Sequence, residues 1–198
     1  MKQYTVTIQG TTVLLQHRFG PAAQTELADR VKRVAGQRDF TGEWIDSAYL
    51  LDGKVVHPAE HIYQAMIRAA SNFRIKGRGK KTYKDLVSSA VIIEPDLIPF
   101  EGPIELPSPE EIPIGAPKEG CPVFVDIRPV RIQRSRVLRE RLGIAPGWRL
   151  SFNLTVTEED FPPEAVKAIL DYAGQFVGIG DYRPRFGRFM VIRFEPAT

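Results

Sequence analysis

Apolar and polar residues alternate through Tyr4-Thr5-Val6-Thr7-Ile8-Gln9, the period of a half-buried strand, and Gly10-Thr11-Thr12 predicts a bend before Val13-Leu14-Leu15. Between residues 18 and 53 the pattern is irregular, although Leu27, Val31 and Val34 predict a short helix within residues 24–35. A clearer helix opens at Pro58, because proline suits a helix start and Ile62, Met66, Ala69 and Phe73 then recur on one face, with His61, Gln64 and Arg68 on another. It ends before Gly77. Residues 86–100 are rich in valine and isoleucine and read as extended, as do residues 123–137. Trp148, Leu150, Phe152, Leu154 and Val156 share one face of the cleanest strand in the chain. A second helix begins near Pro163, with Val166, Ile169, Leu170 and Ala173 apolar; Gly178-Ile179-Gly180 stops it before a last strand over residues 188–194.

The order is strand, helix, strand, strand, helix, strand. That order predicts an α+β protein with a ferredoxin-like βαββαβ core, in which two helices cover one face of an antiparallel sheet, as in RRM domains. The chain, residues 1–198, reads as a single domain with one insertion. Eight of its 16 prolines fall within residues 94–122, and proline lacks an N–H and fixes φ, so this stretch is expected to be neither a helix nor a central strand. It reads as a long arm or thumb-like insertion projecting from the core.

Composition narrows the class of protein further. A chain of 198 residues with 43% apolar residues can bury a substantial core, and no apolar run approaches the ~20 residues of a membrane span, so no membrane partner is expected. The start, MKQYTVTIQG, has no apolar signal region, which predicts a cytoplasmic protein. One cysteine, Cys121, forms no internal disulfide and no cysteine-rich zinc site. Charge is uneven: residues 94–122 hold seven acidic residues and one lysine, a charge of −6, which leaves +9 on the remainder of a chain whose net charge is +3. A body of that sign attracts polyanions.

Three motifs invite a chemical reading and fail it. His57-Pro58-Ala59-Glu60-His61 matches H-x-x-E-H, yet Pro58 pushes its predecessor out of the helical region, so His57 is expected before the helix and not one turn below His61; no metal site is predicted. Gly178-Ile179-Gly180 lacks the strand before it and the helix after it that a dinucleotide fingerprint requires. Gly77-Arg78-Gly79-Lys80-Lys81-Thr82 ends like a phosphate loop but lacks its first glycine, and a helix runs into it. No cofactor is implied.

Basic runs say more. Arg74, Lys76, Arg78, Lys80, Lys81 and Lys84 follow the first helix, and Arg128, Arg131, Arg134, Arg136, Arg139 and Arg141 punctuate the segment before the clean strand. Cations so closely spaced cannot all turn inward, so many line a surface where phosphates fit, although solvated faces account for some. The densest signal is residues 178–189, with Gly178, Gly180 and Gly187, Arg183, Arg185 and Arg188, and Tyr182, Phe186 and Phe189. Glycine permits close approach of a ligand, arginine meets phosphate, and aromatic rings stack on unpaired bases. The competing reading is a turn whose aromatics join the core.

These residues resemble the RAMP (repeat-associated mysterious protein) superfamily of CRISPR systems, whose ferredoxin-like domains carry a glycine-rich loop just after the second helix. Gly178 to Phe189 matches that loop in position and in its G-x-G…G-x-F character. Val55-Val56-His57-Pro58-Ala59-Glu60-His61-Ile62 resembles the helix opening of RAMP backbone subunits, and the Pro-rich stretch would correspond to their thumb. The whole chain is also similar to uncharacterised phage proteins sharing a Y-R-P-x-F-G-R-F ending. The resemblance implies single-stranded nucleic-acid binding, RNA or DNA, by a homo-oligomer stacked along the strand or by a subunit of a nucleoprotein complex. On that reading Arg74, Lys76, Arg78, Lys80, Lys81, Arg131, Arg134, Arg136, Arg183, Arg185 and Arg188 meet phosphates, Gly178 and Gly180 shape the loop, and Tyr182 or Phe186 stacks on bases. An alternative is a metal-independent RNA endonuclease with His17 and His61 as acid and base; a third is a phage structural or assembly protein.

Overall fold

The computed structural model describes residues 1–18, 42–132 and 135–197, so the helix expected at 24–35 lies outside the described residues. Chain order is β1 (Lys2–Gly10), β2 (Leu14–Gln16), α1 (Glu43–Ser47), β3 (Leu50–Leu51), β4 (Lys54–Pro58), α2 (Ala59–Ala70), α3 (Lys84–Ala90), β5 (Val91–Glu94), β6 (Leu97–Pro99), β7 (Val123–Ile132), β8 (Ser135–Ile144), β9 (Arg149–Val156), α4 (Pro163–Tyr172) and β10 (Phe189–Pro196). A π-helical turn, Ala173–Val177, extends α4. The protein is α+β, and its strand pairings within the sheets are antiparallel.

The main sheet has the order β10-β1-β9-β5, and two smaller ones have the orders β2-β8-β7 and β3-β4-β6. Alternation decides which side of the main sheet is buried: Tyr4, Val6 and Ile8 of β1 and Leu150, Phe152, Leu154 and Val156 of β9 join one core with Ile62, Met66 and Ala69 of α2 and Val166, Ile169 and Leu170 of α4. Positions of opposite parity are Thr5, Thr7 and Gln9 beside Asn153, Ser151 and Arg149, a polar set in which Thr7 and Ser151 hydrogen bond at 2.7 Å. At the end of β1 the backbone of Gly10 lies flat under the Trp148 indole, where any Cβ would overlap the ring. Trp148 in turn donates its Nε1–H to the Thr12 carbonyl at 2.9 Å, fixing the bend after β1.

Three expectations change. Residues 86–90 are helical, within α3, because Val87 and Ala90 at i, i+3 bury on one side of a short helix before the extended run starts at Val91. The basic segment read as one extended stretch is a hairpin of two ten-residue strands, β7 and β8. The Pro-rich stretch lies along the body where a projecting arm was expected: β6 pairs with β4, Phe100 bridges to Leu150, the Ile104 carbonyl accepts Val55 N–H at 2.8 Å and Ile112 is buried. Its prolines are tolerated because β6 is an edge strand, while its apolar residues bury against β4 and β7. Among the described residues no helix is long and apolar enough to cross a membrane.

Replacing Gly10 by alanine is expected to displace Trp148 and lower stability by about 1–3 kcal/mol, as overpacking a filled site does. Chemical denaturation followed by tryptophan fluorescence measures it; an unchanged midpoint contradicts this packing.

Candidate functional site

Residues 178–188 are laced onto the segment that follows β1. Thr11 N–H donates to the Arg188 carbonyl (2.8 Å), Gly187 N–H to Val13 (2.7 Å), Asp181 N–H to Leu15 (2.8 Å) and Ile179 N–H to Gly187 (2.9 Å). Ile179 is fully buried and anchors the loop. Gly178, Gly180 and Gly187 have φ near +70°, and a Cβ on each would strike a backbone carbonyl, of Phe186, Leu15 and Ile179 respectively. The close approach that these glycines allow is therefore to the protein's own backbone.

Side chains leave this frame in two directions. Outward, Tyr182 (45% exposed, φ 56°) and Phe186 lie with ring centroids 5.8 Å apart. The Arg128 guanidinium of β7 stands 4.8 Å from the Phe186 centroid and 5.8 Å from that of Tyr182, and Arg185 stands 5.7 Å from Phe186. Inward, Asp181 accepts a hydrogen bond from Arg141 Nε of β8 at 2.5 Å, and His17 Nδ1 lies 4.0 Å from the same Oδ2. Arg139, two residues along β8, pairs with Glu43 of α1. Arg141 Nη1 is buried with no hydrogen-bond partner among the described residues.

Burial opposes the charge of Asp181, but the hydrogen bond and charge of Arg141, the Tyr182 backbone N–H and nearby His17 outweigh it and hold its pKa below the usual carboxylate value. His17 is pushed down by burial, with Arg141 and Arg139 acting in the same sense against Asp181 and Glu43. His61 is lowered by burial and by Arg183, with Glu60 and Asp181 opposing. His57, fully buried, is pushed well down by burial and by His61. His17 and His61 thus both lie within electrostatic reach of Asp181.

His57 does precede the helix, at the end of β4, yet its Nε2 lies 3.2 Å from His61 Nδ1 across the strand-to-helix turn. The expected separation of the two rings is corrected: Pro58, extended at ψ 130°, folds the strand end back against the first turn of α2. No group of three or more metal-binding side chains occurs among the described residues.

The other expected site residues fall elsewhere. Arg74, Lys76, Arg78, Lys80 and Lys81 are exposed on a compact turn closed by Ile75 N–H to the Lys81 carbonyl at 2.9 Å. That turn leaves the C-terminal end of α2, whereas His61 and the glycine-rich loop stand at the other, about 18 Å away by helix rise. Arg131 pairs in register with Arg136 near the tip of the β7–β8 hairpin, and Arg134 is outside the described residues. Arg183 is half-buried, its pKa lowered by burial and by Arg68 and raised by Asp181; Arg188 is tied down by its Nε–H to the Pro184 carbonyl at 2.7 Å. Asp181 and Tyr49 carry no sequence signal of a site, and Arg128 and Arg141 stand out in the sequence only as members of the basic run. The legible signal was the period-2 spacing of Arg139 and Arg141, which puts both on one side of β8. A shallow pocket of about 530 Å³ lined by Tyr4, Pro163 and Phe194 lies at the opposite end of β1.

No protein-family model matches this chain, and no curated protein matches its sequence.

Three histidines and Asp181 set the pH response. Each is depressed relative to its usual value, near 6.5 for histidine and 3.8 for aspartate, so the unfolded chain binds more protons in the window between the two values. Their stability contribution is fully present above the unfolded values and is lost as pH falls toward the folded ones. Thermal unfolding is expected to give a midpoint that is flat at neutral pH, drops below about pH 6.5, and drops again in the carboxylate range. A midpoint unchanged between about pH 7 and pH 5 contradicts the buried neutral histidines.

Proposed function

We propose that this protein binds single-stranded nucleic acid through the glycine-rich loop and the adjoining face of the β7–β8 hairpin, without itself acting on the strand. The observation that carries the reading is the exposed Tyr182 with the half-buried Phe186 beside it, on a loop whose backbone is already fixed, backed by Arg128 of β7 and by Arg185. Rings offered to solvent gain from stacking on unpaired bases, by about 1–3 kcal/mol per base, and gain little from a duplex whose bases are already stacked. Guanidinium groups beside them meet the phosphates of the same strand.

The finer architecture belongs to the same proposal. In chain order the main sheet and its helices run β1, α2, β5, β9, α4, β10, and the sheet order β10-β1-β9-β5 supports a ferredoxin-like βαββαβ core of RAMP-like type. On this plan β2 to β4 and β6 to β8 are insertions that build the binding face at one end of the core. Assembly along a strand is part of the reading, with the acidic stretch at residues 94–122 offering the charge complement to a neighbouring copy's basic body.

One observation favours a second reading, RNA cleavage without metal: His17 and His61, far apart in sequence, both sense Asp181. A neutral His17 beside a carboxylate suits a general base for a ribose 2′-OH.

Affinity for single-stranded oligonucleotides, read by fluorescence anisotropy, is expected to exceed that for matched duplex and to fall steeply with salt. Changing Tyr182 and Phe186 together to alanine is expected to weaken binding by roughly 10-fold or more, while Arg128→Ala with Arg185→Ala lowers the salt slope by about 1.4. Equal affinity for duplex, or variants that fold and bind as the wild type does, would remove this site. Incubated RNA is expected to stay intact on a denaturing gel; site-specific cleavage lost in His17→Ala would replace the binding reading with the second.

A further inference from the structure

Behind the loop, a buried chain of side chains fixes which nitrogen of His61 carries its proton. Gln16, fully buried at the end of β2, donates its Nε2–H to the Val56 carbonyl at 2.7 Å and accepts Tyr49 N–H on Oε1 at 3.0 Å. Turning the amide over would set donor against donor and acceptor against acceptor at these two backbone partners, so its orientation is determined. Its NH2 therefore faces His57 Nδ1, 3.5 Å away, and that nitrogen must present its lone pair. A fully buried, neutral His57 then carries its proton on Nε2, which donates to His61 Nδ1 at 3.2 Å. With Nδ1 occupied as an acceptor, neutral His61 keeps its proton on Nε2.

We propose that His61 is a fixed, uncharged N–H donor to a phosphate oxygen of the bound strand, with Gln16 and His57 as positioning residues that lock its tautomer. The ligand named here rests on the nucleic-acid reading above; the tautomer chain does not. Around His61 stand Arg183 and Asp181 of the glycine-rich loop, Glu60 of α2, His57 of β4 and Tyr49, whose ring meets His61 edge-on at 5.6 Å. Among the described residues none takes a hydrogen bond from His61 Nε2, and the nearby Arg183 favours an anionic occupant. Protonating His61 would require the whole chain to reverse, pressing an N–H of His57 against the Gln16 NH2. Burial and Arg183 act in the same direction, lowering the pKa of the ring against Glu60 and Asp181. For the same reason His61 cannot serve as a general base, and in the cleavage reading that part falls to His17 alone.

Long-range proton–nitrogen spectra of histidine-labelled protein read this directly. His57 and His61 are both expected as neutral Nε2–H tautomers, unchanged as pH is lowered from neutral to about 6. An Nδ1–H form or an imidazolium at either position overturns the proposal. The binding arm uses a roughly 20-nucleotide oligo(dT) or oligo(U) across a salt series. His61→Ala is expected to weaken binding roughly 3- to 10-fold, the range of one neutral hydrogen bond, with the salt slope unchanged because an uncharged donor releases no counterion. Arg183→Ala, by contrast, lowers that slope by about 0.7. His61→Gln, which keeps an N–H donor, is expected to recover part of the loss. Wild-type affinity in His61→Ala, or a reduced slope, overturns the donor role. If neither oligonucleotide binds the wild-type protein, the nucleic-acid reading fails and takes the ligand with it, while the spectra still decide the tautomer chain.

Discussion

The contact between the glycine-rich loop and the segment after β1 is the constraint on which the rest of this end of the molecule depends. Six backbone hydrogen bonds hold residues 179–188 to residues 11–15 or to each other, and three glycines stand where a Cβ would meet a carbonyl. Because the loop cannot move independently of β2, every side chain that it carries has a defined position relative to the β7–β8 hairpin, to which β2 is paired through β8. Tyr182 and Phe186 face outward, Asp181 and Arg183 face the histidines, and Arg188 is consumed in closing the loop.

Arg141 gives the site its electrostatic centre. A buried guanidinium beside a partly buried carboxylate is stable only because the two neutralise each other, and removing either would leave an uncompensated charge in a low-dielectric setting. Around that pair the charges alternate in sign: Glu43 with Arg139, Asp126 with Arg128, Asp181 with Arg141 and Arg183. Asp126 accepts Arg128 Nε at 2.8 Å, which steadies the guanidinium that covers Phe186. Burial pushes the pKa of both His57 and His61 down, with His61 adding to it at His57 and Arg183 adding to it at His61 against Glu60 and Asp181, whereas the basic turn at residues 74–84 stands in solvent, where its charges exert a diffuse attraction for anions.

The strands at residues 4–9 and 148–156, the helices at Pro58 and Pro163 and the last strand are legible because each buries one face against a single large core, so its period survives in the sequence. Residues 86–90 and the pairing of β7 with β8 are not legible, because a seven-residue helix offers too few turns to show a period and because two consecutive charged strands carry no apolar signature that separates them. The Pro-rich stretch was correctly barred from helix and central strand, but whether it projects or packs depends on Ile104, Leu106 and Ile112 finding apolar surface that other segments provide.

The sequence alone determined the α+β class, the main helices and strands, the uneven charge and the concentration of arginine, glycine and aromatic residues after the second helix, since these follow from local period and composition. Only the tertiary structure decided that the glycines face the protein's own backbone, that His17 and His61 come to the same aspartate, and that His57 and His61 touch despite Pro58. The reason is separation along the chain: Asp181 meets Arg141 and His17 from segments 40 and more residues away, and such pairs leave no trace in local pattern because the packing of the core, not the intervening sequence, brings them together.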